Sequence, residues 1–376
     1  MTGRGIDQVL PHPSDPTLHE PWVRSAADYV MLAEQAHGPI AGPVDFAYVW
    51  GDALAELTQV PDLRIVNLET SITRSNDYWR GKGIHYRMHP DNVPCLTAAR
   101  IDCCVLANNH VMDWGYRGLE ETLDSLDHAA VKRAGAGRTA AEAQAPAVID
   151  LGAKGRVLVF AYGAESSGIP PDWAAAADRP GVNLLPDLSE RTARHIGERI
   201  SAVKRPGDIA VVSLHWGGNW GYPVPRHQAA FAHFLIEAAG ADVIHGHSSH
   251  HAKGVEVYKD RPIIYGCGDL LNDYEGIGGH ETLRNDLAVM YFLGMSPSGG
   301  RLRSLEMVPK RIERFRLNRV SPEDASWLGA VFNREGLPFA TRVRIAGDRS
   351  LHLEWGGEDG RRRPGAAFLR SNLCDR

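Results

Sequence analysis

Five short apolar runs in this chain each stop at a polar cluster, and that repetition constrains the fold more than any other feature. The runs end at Leu68, Ala107, Leu214, Ile244 and Tyr265. The clusters at their ends hold Glu69, Asn109 with His110, His215, His247 with His250, and Asp269. Apolar runs this short, bounded by turn residues, read as strands buried on both faces. Amphipathic stretches separate them, such as the one carrying Leu119, Leu123 and Leu126 on one face. Strands alternating with such helices predict an α/β sandwich with helices outside. A cap or a turn explains one polar tip. Five tips, all at carboxyl ends, point to a single site.

The densest tip is Ala241-Asp242-Val243-Ile244-His245-Gly246-His247-Ser248-Ser249-His250-His251, with four histidines in its last seven residues. Alternation along a strand puts His245 and His247 on one face. Gly246 is expected to allow a tight turn that brings the imidazoles to the strand end. A lone histidine would be a satisfied surface residue; this grouping favours a metal or acid–base centre.

The totals exclude several classes. A net charge of -5 and the lack of a basic stripe interleaved with aromatics argue against nucleic acid. No apolar run approaches the roughly 20 residues of a membrane helix, and Met1–Asp7 lacks a signal-peptide core. Five cysteines without a CxxC pair suggest reduced thiols in a cytoplasmic protein and give no support to a zinc ribbon. No GxGxxG follows a strand, so a dinucleotide site is not expected. Oligomeric state is not readable.

In chain order, residues 1–45 read as a long active-site loop or lid with one helical patch near Ala26–Gln35. Helices are expected over 44–57, 91–99, 190–203 and 227–239, and strands over 63–70, 101–107, 157–162, 209–214, 254–258 and 262–265. A catalytic domain is expected over 1–310 and a strand–helix–hairpin extension over 311–376. In that extension Ser321-Pro322-Glu323-Asp324 caps a helix through Phe332, and two strands flank Gly347-Asp348. A disordered polar tail is expected after Gly356.

Four motifs, Asn67-Leu68-Glu69-Thr70, Leu106 through Asp113 with its Asn-Asn-His, Leu214-His215-Trp216-Gly217 and Gly246-His247-Ser248-Ser249-His250, occur in this order. Together they resemble the CapA-like (poly-γ-glutamate capsule-biosynthesis) family of the calcineurin-type metallophosphoesterase fold, over about residues 1–310. The resemblance implies a sandwich of mixed β-sheets flanked by helices. It implies Glu69, Asn109, His215, His247 and His250 as metal ligands and His110, oriented by Asp113, as the acid or base. The family usually opens with a strand ending Gly-Asp-x-Met, whose Asp binds a metal, followed by Gly-Arg. Here Met1-Thr2-Gly3-Arg4 starts at that Met. Either the start lies upstream or the site is one ligand short, and a sheet without that strand would expose unpaired edges. Asp269 is a smaller departure, since Asn is commoner there.

Carboxylate, amide oxygen and imidazole suit one divalent metal (Mn, Fe, Zn or Ca), and no organic cofactor is expected. Two readings of the chemistry follow. One is an α-carbon epimerase acting on a ribosomal, lasso-type precursor peptide, with His110, Asp113, His247 and Asp269 as the acid–base groups. The resemblance supports it, because epimerases of lasso-peptide maturation belong to the same class. The other is a metal-dependent phosphoester or amide hydrolase of the capsule type. A peptide end would be held by Arg87, Trp216 and Trp220, with Lys82 as a further cation and Trp79, Trp114 and Tyr222 as nearby aromatics. His85 and His89 read as surface residues. A binding subunit without catalysis is the third reading.

Overall fold

The computed structural model describes residues 1–296, 299–356 and 362–364. A six-stranded sheet forms one layer, in the order Val255–Tyr258, Arg261–Ile264, Val243–His247, Ile209–His215, Arg156–Gly163 and Ala147–Asp150. Its four inner strands run parallel and its outer two antiparallel. Helices Glu190–Val203 and Arg226–Glu237 cover one face, packing Ile196, Ile200, Phe231 and Leu235 on Phe160, Val212 and Ile244. On the other face Val159, Val211 and Val243 meet Cys103, Val105 and Ala134.

Those partners belong to a parallel three-stranded sheet of Ile65–Asn67, Cys103–Val105 and Lys132–Ala134, backed by helix Gly115–His128. A third sheet of Leu287–Met295, Leu302–Glu313, Leu351–Gly356 and Thr341–Ile345 continues the layer, and its Leu293 and Met295 join the same core. Mixed sheets flanked by helices are the expected α/β sandwich.

The second layer is interrupted. Ile65–Asn67 pairs only with Cys103–Val105, and Leu287–Met295 only with Leu302–Glu313, among the described residues. Between the two open edges lies a cavity of about 420 Å³, lined by Ile65, Val66, Val211, Val243, Met290 and Phe292. Glu69 and His247 line it at the carboxyl ends of the strands, and the Asp62–Lys154 ion pair at their amino ends.

Several expectations need correction. Residues 1–45 are not a lid: Ile6, Leu10, Tyr29 and Ala33 are core, and helices span Gly5–Val9 and Ala26–His37. The helix expected over 44–57 is a 3-10 turn, Tyr48–Ala53, and a short helix, Leu54–Gln59. Gly51 breaks it with φ 43°, because a Cβ there would stand 2.3 Å from the Leu317 carbonyl oxygen. The boundary expected near residue 310 falls inside strand Leu302–Glu313, so the C-terminal elements complete a sheet begun before it. Arg362–Pro364 pair with Leu351–Gly356, whereas the rest of the expected tail lies outside the described residues. Helix Pro322–Gly336 starts at the expected capping box of Ser321 and Asp324.

Candidate functional site

Parallel register aligns the histidine strand with its neighbour: His215 stands opposite His247, and Ser213 opposite His245. The two inner imidazoles meet Nδ1 to Nδ1 at 2.7 Å. On its other side His215 Nε2 lies 2.9 Å from Asn109 Oδ1 and 3.8 Å from Glu69 Oε1. Glu69 is steadied by Asn67, whose side-chain amide donates to it at 2.8 Å. Gly246 serves close approach rather than a turn. A Cβ there would come within 2.5 Å of the Ile264 and Tyr265 carbonyl oxygens. The turn falls on Ser248, at φ 109°.

Burial sets the protonation of this group. It pushes the Glu69 carboxyl up to about 7, and holds His215 and His247 well below the ordinary imidazole range. The imidazoles are therefore neutral, with lone pairs for a ligand.

Two buried His–Asp pairs flank the group. His110 Nδ1 lies 2.7 Å from Asp113 Oδ2, and the Lys82 ammonium contacts Asp113 Oδ1 and the Asn109 carbonyl oxygen. Burial lowers His110 to about 4, against the pull of Asp113. His250 Nδ1 sits 3.1 Å from both Asp269 oxygens. Burial would lower His250 as well, but Asp269 outweighs it and the net shift is upward. Tyr86 and Tyr274 join the pairs: Tyr86 stands edge-on to His110, its hydroxyl is 3.3 Å from that of Tyr274, and Tyr274 contacts His250.

Glu69, Asn109, His110, Asp113, His215, His247, His250 and Asp269 thus lie in one connected cluster. Asp269 pairs with His250 rather than with His247. Trp220 lies beside His250, ring centroids 5.2 Å apart, and stacks on His280. Two expected substrate residues are placed elsewhere. Arg87 is buried beneath Trp114 and donates to the carbonyls of Ser75 and Asp15 and to Asn76. Trp216 packs in the helix-side core and donates to the Tyr265 carbonyl. His85 is buried, not a surface residue. Sequence reasoning missed Tyr86 and Tyr274, because an isolated tyrosine inside a loop carries no motif.

For a divalent metal the donor chemistry fits: a buried carboxyl, an amide oxygen and neutral imidazoles. Glu69, Asn109 and His215 Nε2 face one another, while His247 stands behind His215. Among the described residues no three His, Cys, Asp or Glu side chains converge as a ready cage. The fit is therefore to a mixed oxygen and nitrogen set that includes Asn109.

The family model described as "Bacterial capsule synthesis protein PGA_cap" matches residues 1–274. A Mycobacterium tuberculosis protein named "Probable polyglutamine synthesis accessory protein" is 48% identical over 355 residues, covering 94% of this chain and 93% of that protein. The PGA biosynthesis protein CapA of Bacillus subtilis is 29% identical over 235 residues, 62% of this chain and 58% of its own. The capsule biosynthesis protein CapA of Bacillus anthracis is 29% identical over 215 residues, 56% and 49% respectively. With most of its length matched, and with the motif residues gathered at one end of the sandwich, this chain belongs to the bacterial capsule synthesis (CapA-like) family.

Proposed function

We propose that this chain is an acid–base enzyme that inverts an α-carbon in a peptide-like amide chain. The observation that carries the reading is geometric: two buried His–Asp pairs, His110–Asp113 and His250–Asp269, come from separate segments and flank one donor group. Inversion needs a base on one face of the carbon and an acid on the other. His110, neutral at pH 7, suits the base, with Asp113 accepting from its Nδ1–H. His250, whose imidazolium Asp269 favours against the effect of burial, suits the acid. The Cα–H bond breaks toward His110, its electron pair moves into the adjacent carbonyl, and His250 returns a proton to the opposite face.

A divalent ion held by Glu69, Asn109 and His215 would supply positive charge for the oxygen that becomes anionic. Trp220 offers an aromatic wall, and Lys82 replaces Arg87 as the cation within reach of the site. The names of the relatives favour a chain built from glutamine or glutamate over a lasso-type precursor. No described helix is long and apolar enough to cross a membrane.

The contact of Glu69, Asn109 and His215 also favours a second reading, a metal-dependent amide or phosphoester hydrolase. Incubation with poly-γ-glutamate, polyglutamine and precursor peptides in heavy water separates the two. Deuterium at an α-carbon without chain cleavage is expected. Cleavage of those chains, or of a generic phosphodiester with Mn, would reverse the order. Neither exchange nor cleavage would leave a non-catalytic accessory protein.

A further inference from the structure

Ser213 is a hydroxyl in an apolar place. It alternates with Val211 along a strand whose neighbour contributes Val243, on the face that floors the cavity, and it is fully buried. Its Oγ lies 3.0 Å from His245 Nδ1 and 2.8 Å from His247 Nε2. His247 Nδ1 then lies 2.7 Å from His215 Nδ1, and His215 Nε2 faces Asn109 and Glu69. These contacts form one continuous chain of hydrogen bonds.

We propose that, when a cation sits beside Glu69 and Asn109, His245, Ser213 and His247 act as a relay that holds His215 in the tautomer with Nε2 bare toward it. The inference rests on the metal reading above for its use, though not for its geometry. Each neutral imidazole carries one proton, and two bare Nδ1 atoms cannot face each other at this distance. Orientation at one link therefore fixes every other link. In the sense that suits a cation, His215 Nδ1–H donates to His247 Nδ1, His247 Nε2–H donates to Ser213 Oγ, and Ser213 O–H donates to His245 Nδ1. In the opposite sense His215 Nε2 carries the proton and Asn109 Oδ1 accepts it, so no lone pair is offered. No net charge changes between the two senses.

Ser213 is thus a positioning residue two links behind the ligand, and His245, at the cavity wall, ends the chain. Partners behind a ligand histidine fix its tautomer, and losing one costs about 10–100-fold in metal affinity. Ser213→Ala removes the central link while leaving every candidate ligand in place, and Ser213→Thr keeps the hydroxyl.

The test uses the whole protein with Mn or Zn alone. Calorimetric affinity should fall about 10–100-fold in Ser213→Ala and recover in Ser213→Thr, with melting temperatures compared alongside. Long-range nitrogen–proton NMR on histidine-labelled protein should show His215 protonated at Nδ1 in the metal-loaded wild type. Signals of both tautomers should appear in Ser213→Ala. Unchanged affinity and an unchanged tautomer in Ser213→Ala would overturn the relay. If the wild type binds neither metal, the metal reading fails. The relay is then decided by the His247 tautomer. Without a metal the contact of His215 Nε2 with Asn109 Oδ1 requires His247 Nδ1–H with Nε2 accepting from Ser213, so mixed His247 tautomers in Ser213→Ala support the relay and an unchanged tautomer overturns it.

Discussion

His110 Nδ1 lies 2.7 Å from Asp113 Oδ2, while Lys82 occupies the other carboxylate oxygen. The Tyr86 backbone N–H also donates to Oδ2, at 2.7 Å, so this carboxylate is held from three sides. That arrangement fixes the proton of His110 on Nδ1 and leaves Nε2 for chemistry. His110→Ala should lower turnover by about 10²–10⁴-fold, the usual contribution of a general base. Asp113→Asn should have an effect of similar size by stabilising the wrong tautomer. Both should keep the wild-type circular dichroism spectrum. Wild-type rates in both variants would remove the pair from the mechanism.

Glu69 is the candidate anionic ligand, and burial makes its charge costly, a cost that His250 and the Met1 ammonium offset only in part. Glu69→Gln should therefore weaken Mn binding at least about tenfold while preserving shape. Bound metal stabilises the native state by mass action, about 2.7 kcal/mol at a hundredfold excess over Kd. Chelation should accordingly lower the melting temperature of the wild type and leave Glu69→Gln almost unaffected. Equal Mn affinity in the two proteins would argue against Glu69 as a ligand.

The amino terminus is anchored by ions, not by a lid hinge. The Arg4 guanidinium meets Asp273 at 2.6 Å and Glu20 at 3.1 Å, all three buried, and lies over the rings of Tyr29 and Tyr86. Removing one partner of a buried pair leaves an uncompensated charge, at a cost of about 3–5 kcal/mol. Arg4→Ala, which leaves both Asp273 and Glu20 without their cation, should destabilise the protein by that order in urea denaturation. Arg87→Ala should act the same way, through its lost hydrogen bonds to Ser75, Asn76 and Asp15, with substrate affinity unchanged in the folded fraction. A selective rise in KM for Arg87→Ala would return it to the substrate site.

The layered fold and the gathering of the strand tips were legible because apolar periodicity and polar ends survive in short stretches. Helix Glu190–Val203 and the hairpin of Val255–Tyr258 with Arg261–Ile264 fall where expected for that reason. Strands Lys132–Ala134 and Ala147–Asp150 escaped notice, since three or four residues of mixed polarity carry no period. Arg87 and Trp216 misled because residue type shows what a side chain can bind, whereas its direction depends on tertiary packing. Lys82 and Arg87 share one basic loop, and only the fold turns Lys82 toward His110 and Arg87 away from it.

The open edges of Ile65–Asn67 and Leu287–Met295 carry a last expectation. The Met1 ammonium donates to the Leu271 carbonyl oxygen at 2.7 Å, and Met1 lines the cavity together with Glu69 and Cys267. A segment entering Met1 through the cavity would run with Ile65–Asn67, from the Asp62 end toward Glu69. It would run against Leu287–Met295, which is preceded by Asn285, bound by Asn272 near Asp269, and whose Met295 reaches the core around Val157. Each new ladder bond contributes about 0.5–1.5 kcal/mol net, and apolar side chains on one face would cover Val211 and Val243. A chain lengthened ahead of Met1 by seven or eight alternating Val, Ile and Leu residues should therefore melt several degrees higher than one lengthened by Gly and Ser. Amide exchange at Val66 and Met290 should slow in the apolar extension alone. Equal melting temperatures with unchanged exchange would show that these edges do not accept a strand from that side.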